Sequence, residues 1–410
     1  MSDTASLSIS REILPRIDHL ARWSDLPGGL TCGYLTPAHR AVAKQLRQWM
    51  AAAGLKARVD ALNTVVGRWA SDDPDAKTLI LGSHYDTTRD SGRYAGRLGA
   101  LLAIAIAARL KAEGRKLPFH LEIAAFADKK GLRFGTHYLA SSALARRFDN
   151  AALQARDKDG VALADALRDA GLPADEIPDA ARDPQSLLGY LEIDVEPGPV
   201  LHNSVSPLGV VTAIAGTVRR QLIVTGETAD GASVPMGYRK DAAAAAAEIL
   251  LAVEKICSHM PAVSGTVGRI VVPDGMAHIV PGRCELAFEV RGSSDAERDA
   301  ALEEIDGEIA AIAARRAISV AQSEMLRLPA VGCAPRMTRR IADAVVKTGV
   351  AVHSLPSGGQ HDAVMFGSMT DVGLLLVRCA DSGSPRESAA PQDIELASQA
   401  LRAILLDWGA

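Results

Sequence analysis

Three short apolar runs constrain this chain most. Residues 78–83 (TLILGS), 119–127 (FHLEIAAFA) and 187–195 (LLGYLEIDV) are nearly continuous in hydrophobicity. Such runs suit strands buried on both faces, as in parallel sheets. Between them lie helical patterns at about 98–112 and 136–147. Strands alternating with helices predict an α/β domain with a mostly parallel or mixed sheet flanked by helices. An amphipathic helix over 38–54 precedes the first of these strands and stops at Gly54.

The pattern changes near residue 210. Strand-like runs surround Gly216, and a helix at 240–257 follows. Strands at 265–272 and 284–291, a helix at 295–314 and a strand at 317–325 complete a βαββαβ-like order. The α/β pattern resumes with a helix at 336–349, a strand at 371–379 and a helix at 392–407. The expected organisation is a discontinuous α/β domain, residues 1–210 and 324–410, with an α+β domain inserted at 211–323. A length of 410 residues suits two or three domains.

Several function classes are disfavoured. The net charge is −4 and no basic run occurs, which argues against a nucleic-acid partner. No apolar stretch reaches the eighteen or so residues that span a bilayer. The first residues lack a basic segment followed by an apolar core, so no secretory signal is expected. Five widely spaced cysteines without a CxxC pair read as reduced thiols, and a cytoplasmic location is expected. Cys32, in the glycine-rich segment GGLTCGY, is the best candidate for a reactive thiol.

Chemistry concentrates first at Gly82-Ser83-His84-Tyr85-Asp86-Thr87, the C-terminal end of a buried strand. Ligands of open α/β sheets bind at such ends. A histidine with an aspartate two residues on fits a metal ligand oriented by a carboxylate. A structural histidine fits equally well. Further segments follow in order: AFADKKGLRFG, YLEIDVEPGPVL, VTGETADGASVPMGYRKDA, VPGRCELAFEVRG and LPSGGQHDA. Together they resemble the N-carbamoyl-L-amino-acid hydrolase and allantoate amidohydrolase family over nearly the whole chain.

That resemblance implies a zinc-exopeptidase-like α/β domain holding two divalent metals. It also implies an inserted ferredoxin-like domain that forms a homodimer, here residues 211–323. The first metal ligand of the family corresponds to His84. The bridging aspartate position is Ala95, and the Glu-Glu pair that supplies base and ligand is Lys129-Lys130. A histidine ligand is replaced near Asp194. The last one is absent from Asp381-Ser382-Gly383-Ser384-Pro385. The His-Ala-Gly histidine that polarises the substrate carbonyl is Asp230. His84 and Asp194 remain as two plausible ligands, fewer than the three of a catalytic zinc site. The expectation is therefore no bound metal and no other cofactor.

Carboxylates have become lysines, and histidines have become aspartates. This pattern predicts an internal ion-pair network in which Lys129 or Lys130 pairs with Asp86, Asp194 or Asp230. Each contact is worth on the order of 4 kcal/mol at about 4 Å before desolvation. Lys129, Lys130, Asp194, His84 and Asp86 are thus the candidate catalytic residues. For a small carboxylate-bearing ligand, the resemblance points to Arg239, Arg291, His278, Asp230 and His361, with Asp362 beside it. Arginine forks match carboxylates well. Three readings stay open: a metal-independent enzyme acting on a C–N bond, a non-catalytic relative that binds a ligand or partner, and a metal-dependent hydrolase with rearranged ligands.

Overall fold

The computed structural model describes residues 8–409. The chain divides into two compact units. Of the described residues, the first comprises 8–212, 332–355 and 359–409, and the second comprises 213–331 and 356–358.

In the first unit the three predicted runs become Thr78–His84, His120–Phe126 and Leu187–Val195. Almost every residue in them is buried, which is why their sequences lack polar alternation. Thr78–His84 lies between the other two and is parallel to both. Val372–Val377 adds a fourth parallel strand beside Leu187–Val195. Antiparallel strands flank this centre: Lys56–Val59 and Val65–Trp69 on one side, Leu208–Ile214 on the other. The sheet is therefore mixed, with a parallel centre. The central strands point their C-terminal ends the same way, so His84, Lys129 and Asp194 arise from neighbouring strand ends.

Helices Arg97–Ala112, Pro335–Lys347 and Pro391–Leu406 lie close to the predicted positions. The helix expected at 136–147 is shorter, Leu139–Leu144. Tyr138 and Arg146 both adopt positive φ, 58° and 59°, and these left-handed residues bound the helix. The half-buried strand KARV and the helix Ile9–Ala21, which contains Pro15, are additions to the predicted elements.

The second unit is a four-stranded antiparallel sheet. Its order is Ser319–Leu328, Gly216–Thr225, Arg283–Gly292, Val263–Val271. Helices Ala242–Ser258 and Asp295–Arg316 pack through Ile249, Val253, Leu302 and Ile305 against Leu222, Leu286 and related residues. Arg283–Gly292 alternates between buried and less buried positions, as a strand covered on one face should. Among the described residues, no helix is long and apolar enough to cross a membrane.

Candidate active site at the strand ends

His84 closes its strand with the ring fully buried. Its Nδ1 lies 3.0 Å from the Asp86 carbonyl and 3.2 Å from Asp86 Oδ1. Among the described residues its Nε2 has no hydrogen-bond partner, and it lies 4.0 Å from Asp194 Oδ2. Burial lowers the imidazole pKa, and Lys129 lowers it further. Gly96 packs against this ring with φ +70°. A Cβ there would come within 2.4 Å of His84 Cδ2, so both conformation and space require glycine.

The Leu187–Val195 strand supplies two acids. Glu192 and Asp194 are two residues apart and project to the same face. Tyr190 Oη and the Ala363 amide donate to Glu192 Oε2. The Gly96 and Val195 amides donate to Asp194 Oδ1 at 2.7 and 2.8 Å. The other oxygen of each acid faces Lys129. The Lys129 Nζ, on a fully buried side chain, lies 3.5 Å from Asp194 Oδ2 and 3.7 Å from Glu192 Oε1. His361 Nδ1 joins them, 3.3 Å from Glu192 Oε1 and 3.7 Å from Asp194 Oδ2. Burial alone would raise the Asp194 carboxyl, but Lys129, His84 and His361 hold it below the usual carboxylate range. Burial opposes the Lys129 charge, and Asp194 and Glu192 outweigh it, so the ammonium is stabilised.

Lys130 differs from its neighbour. Its backbone N–H donates to Asp86 Oδ2 at 3.0 Å. Its side chain lines a cavity of about 200 Å³ together with His84, Asp86, Asp194, Gln360 and His361. Among the described residues, no carboxylate lies within ion-pair distance of its ammonium. Burial and the Lys129 charge lower its pKa. The expected ion-pair network is thus found at Lys129 and Asp194, and corrected elsewhere. Asp86 serves His84 and the Lys130 amide. Asp230 serves its own turn, accepting from the Ala232 amide and from the Ser233 amide and hydroxyl.

The remaining predicted residues lie in the second unit and spend polar atoms there. Arg239 donates to the Val234 and Gly231 carbonyls. Arg291 donates to Glu289 Oε1 and the Gly358 carbonyl, each at 2.6 Å. His278 is exposed, and its carbonyl accepts from Gly231. Cys32, the best candidate for a reactive thiol, is a free, buried thiol as the packed reading expects, and burial pushes it up to about 11. Such a group is not a ready nucleophile.

Two important residues were missed in the sequence. Glu192 could have been found from its i, i+2 relation to Asp194 near a strand end. Glu387 is buried and accepts from the Tyr94, Ala95 and Gly383 amides at 2.6, 3.2 and 3.0 Å. It ties together two loops, 94–96 and 382–387, that are far apart in the chain, and no local motif marks it.

Peptidase family M20/M25/M40 matches residues 80–407, and the chain belongs to that family. Within it, the similar proteins are amidohydrolases of C–N bonds. The chain is 31% identical to allantoate deiminase 2 of Glycine max, over 96% of this chain and 88% of that protein. It is 30% identical to the N-carbamoyl-L-amino acid amidohydrolase of Geobacillus stearothermophilus, over 91% and 92%. Among solved structures, a hydantoinase/carbamoylase-family amidase from Burkholderia multivorans superposes with a TM-score of 0.87 at 26% identity, covering 97% of each chain. AtUAH in complex with glyoxylate gives 0.85 at 27%, also covering 97% of each.

The relatives named in the resemblance use divalent metals, so the donor set bears directly on a metal. One atom each from Glu192, Asp194 and His361 lies within 4.8 Å of the others. This corrects the expected count of two ligands, and the expectation of no metal loses that support. The donor types suit a cation. The neighbour does not: the Lys129 ammonium already sits against two of the three donors, and a divalent ion there would face a buried positive charge. At the bridging position, Ala95 offers no side-chain donor. As arranged, the residues do not fit a dinuclear pair.

Proposed function

We propose that this chain is an amidohydrolase-type enzyme that acts without a metal on a C–N bond of a small ureido, N-carbamoyl or N-acyl carboxylate. The observation carrying the proposal is the Lys129 ammonium, held by Asp194 and Glu192 where a catalytic cation is expected. In this reading Lys129 fixes the acids and keeps a positive charge beneath the pocket. Lys130, with its lowered pKa, is the amine that takes up or delivers a proton at the substrate. His84, oriented through Nδ1 by Asp86, presents Nε2 as its partner. Arg239, Arg291 and His278 are proposed contacts for the substrate carboxylate on the resemblance alone, as is a homodimer through residues 211–323.

A second reading has its own observation. Glu192, Asp194 and His361 would hold one divalent ion if Lys129 moved aside, which would give a metal-dependent hydrolase with rearranged ligands. Assaying N-carbamoyl and N-acyl amino acids with and without chelator separates the two. Chelator-resistant turnover supports the proposal, and turnover abolished by chelator and restored by metal refutes it. No turnover across the panel refutes the proposed substrate class and favours a non-catalytic relative.

A further inference from the structure

Two adjacent lysines in one site have opposite surroundings. Lys129 is sealed in and salt-bridged twice, so its nitrogen is committed as an ammonium. Lys130 lines the cavity and has no carboxylate within ion-pair distance among the described residues. It stands beside a fixed positive charge with two imidazoles, His84 and His361, lining the same space. A lysine desolvated next to a second cation is the usual arrangement for amines that add to carbonyl groups. The cavity, about 200 Å³, is smaller than the roughly 300–1,000 Å³ of sites for drug-sized ligands, and so suits a molecule of a few carbons.

We infer that Lys130 forms a covalent imine with small α-oxo acids in this cavity. The inference deepens the metal-free reading of the site and rests on it. The Nζ lone pair attacks the carbonyl carbon, forming a C–N bond, and the carbonyl π electrons move to oxygen. That oxygen takes a proton, and the nitrogen gives one up. The C–O bond of the carbinolamine then breaks with a second protonation of oxygen, releasing water and leaving a C=N iminium, whose nitrogen gives up its remaining proton. The sum is amine plus carbonyl giving imine plus water, with no oxidant or reductant. In this step His84, which lines the same cavity, is assigned to carry the proton to the departing oxygen; its Nε2 has no hydrogen-bond partner among the described residues. Burial and Lys129 increase the fraction of free Lys130 amine near neutral pH, which supports the step without carrying it.

The test is reductive trapping. The intact chain is incubated near pH 7 with glyoxylate and a borohydride, and the modified lysines are mapped by peptide mass spectrometry. The expected result is carboxymethylation of Lys130 faster than of Lys116 by about an order of magnitude or more, since a desolvated amine beside a second cation is the kind that adds to carbonyl groups. Lys116 is an exposed internal control whose amine is held protonated by Asp72. Labelling at Lys130 should vanish in Lys130→Arg while Lys116 labelling stays. Because the comparison is internal to the native chain, it holds even if the variant folds poorly. Label spread over exposed lysines with none preferred at Lys130 overturns the inference. Chelator-resistant amide turnover without a Lys130 adduct also overturns it, yet leaves the metal-free reading standing. An adduct accompanied by turnover that requires added metal retains the amine chemistry and removes that reading.

Discussion

The Lys129 ammonium lies 3.5 Å from Asp194 Oδ2, with both side chains buried. Two charges in such a place stabilise one another only as a set. Asp194 is satisfied on its other oxygen by the Gly96 and Val195 amides, and Glu192 by Tyr190 and Ala363. The Lys129 cation completes the set.

Removing that cation leaves two buried carboxylates facing each other. Lys129→Met should therefore cost about 3–5 kcal/mol, the usual penalty for breaking a buried pair from one side. Urea denaturation midpoints measure it. A loss below about 1 kcal/mol would show that Lys129 does not neutralise the pair.

Lys130 should matter to rate and little to folding, since its side chain lines the cavity and makes no ion pair among the described residues. Lys130→Met should lower kcat about 10²–10⁴-fold, the range for a lost general acid or base, with a nearly unchanged denaturation midpoint. In the wild type, activity should rise with pH through the lowered lysine pKa, below the ordinary value of about 10.4. A flat profile between pH 6 and 9 together with full activity in the variant would remove Lys130 from the chemistry.

Stability should fall in acid. The Asp194 carboxyl is depressed in the fold, so its contribution is present above its unfolded pKa of about 3.9 and is lost as pH drops through the folded value. Asp362 has the opposite sign. Burial pushes its carboxyl up to about 7, so ionising it costs stability as pH rises from about 4 to 7. Urea midpoints across pH 3 to 8 should show the acid loss in the wild type. They should also show a shallower decline toward neutrality in Asp362→Asn.

Glu387 joins the loops that carry Ala95 and Gly383 through three amide hydrogen bonds. Glu387→Ala should destabilise by about 1–3 kcal/mol, because buried N–H groups are left unpaired. Hydrogen exchange at Tyr94 and Ala95 should speed up locally. Unchanged exchange there would show that the loops hold by other contacts.

Much of the fold was legible because burial wrote itself into composition. Leu187–Val195 reads as a strand with the same bounds in sequence and structure, since a strand covered on both faces needs apolar residues throughout. Lys56–Val59 was not legible, being short and half-buried at an edge. In the site, His84 stood out as the histidine kept in its motif, and Lys129 and Asp194 as substitutions in ordered motifs. Which lysine pairs and which lines the cavity depends on the loop after Phe126, where Asp128 takes φ 51° and adjacent residues part company. Adjacent positions in sequence carry no information about that turn. Glu387 was invisible because two of its three amide partners, Tyr94 and Ala95, lie almost three hundred residues away.

The most direct test of the central claim is elemental analysis of protein purified without chelator and assayed at full activity. The account predicts far less than one divalent ion per chain, with Lys129 holding the acids. One or two tightly bound ions per chain, with activity lost on their removal and regained on their return, would contradict it.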